Sequence, residues 1–159
     1  FNSLGASIEN SRVLELFAGT GALGLECVSR GASTCVFVEL SNKHANIMKQ
    51  NAKSIGIISN LTQFRVEDAF VAIKKLNNHS ERFDFIFADP PYGEKNTEKR
   101  SESFAQQMLD DHNLPSLLKE NGSLILGHTK RDTLEFVKPW KLRKTLKHGD
   151  TLIEIIELN

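Results

Sequence analysis

The feature that most constrains the fold is a regular alternation of short apolar runs with segments of helical periodicity. Apolar runs that predict buried strands cover residues 11–16, 33–38, 61–66, 83–88 and 123–127. Helical periodicity falls between and around them, over residues 21–30, 42–55, 69–76, 102–111 and 114–119. Strands that alternate with helices form parallel sheets with right-handed crossovers, so we expect a doubly wound α/β fold with helices on both faces.

The C-terminal end departs from this alternation. Residues 142–147 and 151–158 have strand patterns and flank His148-Gly149-Asp150, with no helix between them. Two strands joined by a short glycine-containing turn form an antiparallel hairpin. Asn121-Gly122 predicts a further turn, just before the fifth strand. We therefore expect a seven-stranded, mostly parallel sheet with a C-terminal antiparallel hairpin, in a single domain spanning residues 1–159.

Composition limits the class of protein. The 20 acidic and 20 basic residues cancel, which does not support a strongly basic nucleic-acid binder but is compatible with a local basic face. No apolar run reaches the roughly 20 residues of a membrane span, and no signal peptide is visible, so we expect a cytoplasmic protein. Cys27 and Cys35 lie in apolar surroundings, which predicts buried, reduced thiols. Neither they nor the histidines have metal-ligand spacing, so no metal is expected.

A glycine-rich segment, Glu15-Leu-Phe-Ala-Gly19-Thr-Gly21-Ala-Leu-Gly24, joins the first strand to the first helix. Gly19 and Gly21 permit a tight turn and close approach of the backbone to a ligand, while Gly24 permits close packing of the helix on the sheet. Ligands of doubly wound folds bind at the carboxyl ends of the strands, where the strand order reverses. The sequence therefore predicts a ligand site at this loop.

Acidic residues at three strand ends narrow the choice of ligand. Glu39 ends the second strand, where a carboxylate accepts hydrogen bonds from ribose hydroxyls. These features alone equally describe an NAD-binding protein. Glu15, just before the glycines, would repel a pyrophosphate but attract the amino group and sulfonium of S-adenosylmethionine (SAM). Asp68, after the third strand, is placed to accept a hydrogen bond from the adenine amino group, to cap the following helix, or both.

The tetrapeptide Asp89-Pro90-Pro91-Tyr92 follows the fourth strand and indicates a reaction. The exocyclic amine of a base is a poor nucleophile because its lone pair is delocalised into the ring. The Asp89 carboxylate and the Pro90 carbonyl could each accept one N–H of such an amine and direct its lone pair towards the methyl group of SAM. The prolines restrict the backbone that holds these acceptors, and the Tyr92 ring offers a surface on which a base can stack.

These motifs together resemble a known family. E-x-F-x-G-x-G followed by D-P-P-Y is similar to the amino-methyltransferases of nucleic acids. More closely, VLELFAGTGALGLECVSRGA, FVE and FDFIFADPPY resemble the RsmD family, which methylates N2 of a guanosine in bacterial 16S ribosomal RNA. The resemblance covers nearly the whole chain.

The resemblance implies a Rossmann-like SAM-dependent methyltransferase fold, with S-adenosylhomocysteine as the product of the cofactor. It implies 16S ribosomal RNA as substrate, within the small ribosomal subunit or its assembly intermediate. It also assigns residues: Glu15, Phe17, Gly19 and Gly21 would line the cofactor pocket, Glu39 would bind ribose, Asp68 would bind adenine, and Asp89, Pro90, Pro91 and Tyr92 would hold the target guanine.

The chain departs from the family pattern at its N-terminus. Family members carry a basic segment before an F-N-x-L motif, and this chain begins at Phe1-Asn2-Ser3-Leu4. The resemblance therefore implies that the N-terminal RNA-binding segment is missing here. Lys95, Lys99 and Arg100 form a basic loop after the tetrapeptide, which is either a solvated face or an RNA contact. His128, at the end of the fifth strand, is a candidate for a minor contact in the substrate cleft.

Other functions stay open from the sequence. A DNA adenine-N6 or cytosine-N4 methyltransferase uses the same tetrapeptide. An NAD-dependent oxidoreductase shares the glycine loop, although Glu15 and the tetrapeptide oppose it. A non-catalytic module that binds SAM or RNA is a further alternative, and a monomer is expected.

Overall fold

The protein is built on one seven-stranded sheet, seen in a computed structural model that describes residues 8–57, 59–92 and 102–159. The strands are β1 Arg12–Leu16, β2 Thr34–Val38, β3 Thr62–Arg65, β4 Phe83–Ala88, β5 Leu118–Thr129, β6 Trp140–His148 and β7 Thr151–Leu158. Their order across the sheet is β3-β2-β1-β4-β5-β7-β6. Pairing is parallel from β3 through β5, whereas β7 is antiparallel to both β5 and β6. The predicted mostly parallel sheet with a C-terminal hairpin is confirmed.

The strand order reverses at β1, which lies between β2 and β4. The chain moves outward to β2 and β3 and then returns to β4 on the other side of β1. The carboxyl ends of β1 and β4 are adjacent there, with Leu16 opposite Ala88. A crevice outside these strand ends is the usual ligand position in an open α/β sheet.

Within the described ranges, four α-helices connect the strands: α1 Ala22–Ser29, α2 Asn42–Ser54, α3 Ala69–Asn78 and α4 Phe104–Asp110. Three of them begin at a side-chain cap that satisfies backbone N–H groups of the first turn. Ser41 Oγ accepts from the amide of His44, Asp68 Oδ1 accepts from the amides of Phe70 and Val71, and Ser103 Oγ accepts from the amide of Gln106. None of the helices in the described ranges is long and apolar enough to cross a membrane.

Two apolar clusters cover the two faces of the sheet. One packs α3 and α4 on the strands through residues such as Ile73 and Met108, and the other packs α1 and α2 through residues such as Leu25 and Met48. Cys27 and Cys35 are free and buried in the second cluster, as predicted. Burial raises the pKa of the Cys27 thiol to about 12.

One predicted element is wrong. Residues 114–119 were expected to be helical, but a one-turn 3-10 helix covers only Leu114–Leu117 and β5 begins at Leu118. The turn expected at Asn121-Gly122 lies inside β5 as an irregularity, with Asn121 at a φ of 66°. The pairing partners of Phe83 and Phe85 are Leu118 and Ser123, so the extra residues bulge out of β5. Pairing with the central strand β4, which local periodicity cannot reveal, overrides the helical pattern.

Candidate active site

A cavity of about 660 Å³ opens at the carboxyl edge of the sheet, beside the point where the strand order reverses. The loops that follow β1, β2, β3 and β4 all contribute to it. The described lining residues are Phe17, Val38, Glu39, Leu40, Ser41, His44, Glu67, Asp68, Ala69, Asp89, Pro91 and Phe104. Four of these carry carboxylates, and the described lining contains no lysine or arginine. The cavity is therefore apolar in its walls and acidic in charge.

Glu39, after the end of β2, is hydrogen-bonded to the glycine loop. Its Oε1 accepts the amide N–H of Gly19 at 2.8 Å, and its Oε2 accepts that of Ser41 at 2.8 Å. Each carboxylate oxygen has a second lone pair, so both still have the capacity to accept a hydroxyl of a ligand. Gly19 has a φ of +58°, and no heavy atom of the described residues, apart from its chain neighbours, lies within 4 Å of the position that a Cβ would occupy. The predicted close approach of a ligand to the backbone at Gly19 is sterically open.

Gly21 and Gly24 have packing roles. A Cβ on Gly21, which has a φ of +79°, would lie 2.6 Å from Met48 Cγ of α2. A Cβ on Gly24 would lie 2.4 Å from the Phe37 ring and 2.9 Å from Glu15 Oε1. Such contacts are too close for any side chain. These two glycines bring α1 and α2 against the sheet beneath the cavity.

Glu15 lies beneath the glycine loop with only 5% of its surface exposed. Its Oε1 accepts the Gly24 amide N–H at 2.9 Å. Burial raises the pKa of Glu15 to about 7, against the Gly24 hydrogen bond that lowers it, and the charges of Asp89 and Glu39 raise it further. A cation bound nearby would favour the ionised carboxylate. Glu15 is thus a buried acid that can match one positive charge on a ligand.

Aromatic rings form one side of the cavity. Phe17, with a φ of 54°, lies in tilted contact with Phe104 at 5.9 Å between ring centroids and meets the edge of Phe70 at 6.3 Å. Asp68 lines the same cavity while it caps α3. Sequence reasoning did not single out Phe104, Leu40 or His44. The Ser103 cap marks the start of α4, but only the tertiary fold brings that helix to the cavity.

The tetrapeptide at residues 89–92 leaves β4 at the same edge. Asp89 and Pro91 line the cavity, and partial burial raises the pKa of the Asp89 carboxyl. Pro90 is buried, whereas 57% of the Tyr92 surface is exposed and its hydroxyl lies 2.9 Å from Thr151 Oγ1 in β7. The hairpin therefore anchors the far end of the tetrapeptide.

Some of the predicted site residues line the cavity in the structure, and others are not part of its described lining. Phe17, Glu39, Asp68, Asp89 and Pro91 line the cavity. Glu15, Gly19 and Gly21 are not part of its described lining: Gly19 donates its amide N–H to Glu39, Glu15 accepts from Gly24, and Gly21 packs against Met48. Pro90 and Tyr92 line a smaller adjoining depression together with Gly127, His128 and Thr129.

His128 is buried, and both of its ring nitrogens have partners within the protein. It is 5% exposed, its Nδ1 lies 2.9 Å from the Asp132 carbonyl oxygen, and its Nε2 lies 2.9 Å from Glu154 Oε1. Lys95, Lys99 and Arg100, as well as residues 1–4, lie outside the described residues. Within the described ranges, the acids, histidines and cysteines form no group of three or more that could hold a metal ion.

The cavity fits SAM better than a dinucleotide. Its apolar walls suit an adenine ring, the Glu39 oxygens suit ribose hydroxyls, and its acids suit the sulfonium and amino group. A pyrophosphate would instead face four carboxylates without a basic side chain from the described lining. The donor and acceptor chemistry of the residues therefore matches a cationic nucleoside.

Comparison with known proteins places the chain in a family. The family model described as "Conserved hypothetical protein 95" matches residues 1–157. The chain belongs to the RsmD family. Two RsmD-family relatives are proteins named ribosomal RNA small subunit methyltransferase D from Haemophilus influenzae and Buchnera aphidicola, each 31% identical to this chain. These matches cover 94% and 91% of the chain and 72% and 69% of the relatives.

Further proteins share sequence or fold with this chain. YlbH of Bacillus subtilis is 31% identical over 82% of this chain and 66% of its own length. The chain therefore spans about two thirds of the length of these curated relatives. A conserved hypothetical protein of Streptococcus pyogenes has a TM-score of 0.78 and 28% identity, over 98% of this chain and 91% of that chain. SMU.776, a protein solved in complex with SAH, has a TM-score of 0.75 and 19% identity, over 96% of this chain and 46% of that chain. The predicted Rossmann-like SAM-dependent methyltransferase fold is confirmed.

Proposed function

We propose that this protein is a methyltransferase that uses SAM to methylate the exocyclic N2 of a guanosine in 16S ribosomal RNA of the small subunit. The observation that carries the proposal is the position of Asp89, whose carboxylate lines an acidic, aromatic-walled cavity directly after β4. Family membership and relatives named for small-subunit ribosomal RNA methylation support the substrate class.

The cavity residues would hold the cofactor by complementary chemistry. Glu39 accepts ribose hydroxyls, Asp68 accepts the adenine amino group, and the Phe17 ring contacts apolar surface of the ligand. Glu15 offsets the positive charge of the ligand from beneath the glycine loop. When bound, SAM supplies a methyl group on a positively charged sulfur, which makes that methyl group electrophilic.

Asp89 would activate the base. Its carboxylate accepts one N–H of the guanine amino group and the Pro90 carbonyl accepts the other, which orients the nitrogen lone pair. Formation of the new N–C bond would break the bond between sulfur and the methyl carbon and leave a neutral thioether, while the positive charge that develops on the nitrogen would be stabilised by the Asp89 carboxylate. The same carboxylate then receives the departing proton or passes it to water. Tyr92, anchored to Thr151, offers its exposed ring for stacking with the base.

Two alternative functions differ from the proposal, one in the acceptor that is methylated and the other in the cofactor that is bound. A DNA adenine-N6 or cytosine-N4 methyltransferase would use Asp89 and Pro90 in the same way, so only the acceptor distinguishes it. An NAD-dependent oxidoreductase is disfavoured by the four carboxylates of the described lining. Stronger calorimetric binding of NAD than of SAM would revive that alternative.

The test follows labelled methyl groups from SAM to small ribosomal subunits that lack the native modification. The protein is used as its full natural chain, with naked 16S RNA and duplex DNA as parallel acceptors, and each product is digested to nucleosides. We expect label in N2-methylguanosine from RNA only. Asp89→Ala should abolish transfer while SAM binding is retained, and Tyr92→Phe, which keeps the ring, should retain most activity. Label in N6-methyladenine or N4-methylcytosine of DNA, or full activity of Asp89→Ala, would contradict the proposal.

A further inference from the structure

The basic residues of this neutral chain are concentrated beside the candidate site. Residues 130–148 carry seven of the 20 lysines and arginines but only two of the 20 acids. Strand β6 alone contributes Lys141, Arg143, Lys144 and Lys147, all exposed, and no acid. A single strand therefore carries a row of positive charge, which we call the β6 basic row and define by these four residues.

The lysines of the β6 basic row are available to a partner. Among the described residues, the ion pairs involve none of Lys141, Lys144 and Lys147. Lys130, in contrast, lies 3.0 Å from Asp150 Oδ1, and that lysine holds the pKa of Asp150 below its usual range. These three lysines thus keep their charge for a partner, whereas Lys130 is paired with Asp150.

The row begins at the rim of the candidate site. His148, at the end of β6, lies opposite Thr151, whose hydroxyl meets Tyr92. Lys147 is one residue from this end, and Lys141 is seven residues away, or about 23 Å along a strand. Lys144 and Lys141 lie opposite Ile155 and Glu157, which are on the same face of β7 as Thr151, whereas Lys147 lies opposite Leu152 and is on the other face of this edge strand. A polymer that places a base on Tyr92 can therefore continue along β6.

β6 lies at the edge of the sheet, where it is better suited to bind a charged partner than to pair with another β-strand. β6 is the last strand in the sheet order, and a register shift between Leu142 and Lys144 makes Arg143 an extra, bulged residue. Bulges and lysines both discourage the addition of another strand to an edge. A flexible row of ammonium groups suits a polyanion, because each charge can pair with a separate phosphate.

We propose that the β6 basic row binds the phosphate backbone of the RNA whose target base enters the site at Asp89. This inference rests on the proposed function, since it takes RNA as the substrate, and it adds the surface that holds the RNA outside the reaction centre. The row positions the RNA by backbone contacts and carries no sequence information itself.

The test compares two triple variants of the full natural chain, each of which removes three exposed lysines. One is Lys141→Gln/Lys144→Gln/Lys147→Gln in the row. The matched control is Lys49→Gln/Lys53→Gln/Lys74→Gln on α2 and α3, away from β6. Binding of a 16S RNA fragment is measured from 50 to 300 mM salt, together with SAM binding and thermal unfolding.

We expect the row variant to bind the RNA at least tenfold more weakly at low salt. The slope of log K against log salt should flatten by about 2, as expected for the loss of three contacts to single-stranded phosphates. SAM affinity and unfolding temperature should stay at wild-type values, and the control should change the slope by less than a third as much. The inference is overturned if the slope for the row variant is unchanged, or if the control loses as much RNA affinity as the row variant. It is also overturned if the row variant aggregates but binds RNA no more weakly.

Methyl transfer separates this inference from the proposed function. If the wild-type protein methylates 16S RNA, and the row variant has a higher KM with little change in kcat, both the proposed function and the inference about the β6 basic row hold. Methylation with an unchanged KM in the row variant overturns the inference alone. If wild-type protein transfers no methyl group to RNA while the row variant still loses RNA binding, the phosphate-binding surface stands and the proposed reaction fails.

Discussion

Gly127 leaves the space that the Asp89 carboxylate occupies. A Cβ built on Gly127 of β5 would lie 2.6 Å from Asp89 Oδ1 and 3.3 Å from Asp89 Cγ. Cβ atoms essentially never make non-bonded contacts this short, so either the carboxylate or the strand would have to move. β5 therefore positions the candidate catalytic acid by lacking a side chain at one place.

Gly127→Ala should displace Asp89 and lower methyl transfer. We expect kcat to fall by about 10²-fold, because displacements of about 1 Å carry penalties of that size. SAM affinity should change by less than threefold. Rapid-quench measurement of the methyl-transfer rate at saturating RNA tests this expectation. A loss of SAM affinity as large as the loss in kcat would show that Gly127 acts elsewhere than through Asp89.

Glu15→Gln should change how stability depends on pH. A carboxyl whose pKa rises from 4.5 to about 7 on folding binds its proton more tightly in the native state. The free energy of unfolding therefore falls as pH rises through that window, by up to about 3 kcal/mol. Glutamine stays neutral and keeps an acceptor for the Gly24 amide. The variant should match wild type near pH 4.5 and be more stable above pH 7.

Urea unfolding at pH 4.5, 6 and 8 measures this difference for Glu15→Gln. Glu26→Gln is the matched control, because Glu26 is exposed and paired with Arg30 at the surface. Parallel pH profiles for wild type and Glu15→Gln would show that Glu15 ionises normally in the folded protein.

Glu39→Gln should weaken SAM binding. The amide can accept only one of the two N–H bonds that Gly19 and Ser41 now donate, and its NH₂ group would face the other donor. We expect Kd for SAM to rise by about 10–100-fold, or about 1.4–2.7 kcal/mol. Isothermal titration calorimetry measures it, with Glu67→Gln as the control on the same cavity. Equal effects of the two variants would point to the overall charge of the cavity.

Glu154→Ala should destabilise the C-terminal hairpin. Glu154 is 4% exposed, faces His128 Nε2 at 2.9 Å and accepts a hydrogen bond from Thr145 Oγ1. Its removal leaves His128 Nε2 and Thr145 Oγ1 without this hydrogen-bond partner, and we expect a loss of about 1–3 kcal/mol in the free energy of unfolding. Glu157→Ala, on the other face of the same strand, should cost less than about 1 kcal/mol.

Urea unfolding followed by far-UV circular dichroism gives both values. The double variant His128→Leu/Glu154→Leu should recover much of the loss, because a buried polar pair can be replaced by apolar side chains. No recovery would show that the shape of the pair matters more than its hydrogen bonding.

Local sequence patterns determined much of the fold. Phe83–Ala88 and Thr151–Leu158 match their predicted bounds, since apolar composition and flanking turn residues mark such strands without help from the rest of the chain. The order of acids, glycines and prolines at strand ends likewise pointed to an edge where Glu39, Asp68 and Asp89 meet. Parallel strands bring their carboxyl ends to one side, so a linear order becomes a spatial cluster.

Only the tertiary structure decided the contacts between distant segments. The placement of Phe104 at the cavity, the burial of His128 against Glu154, and the room that Gly127 leaves for Asp89 all depend on elements far apart in sequence. The same holds for β5, whose early start at Leu118 follows from pairing with β4. Local periodicity records which face of an element is buried, whereas sheet pairing and helix packing determine what that face meets.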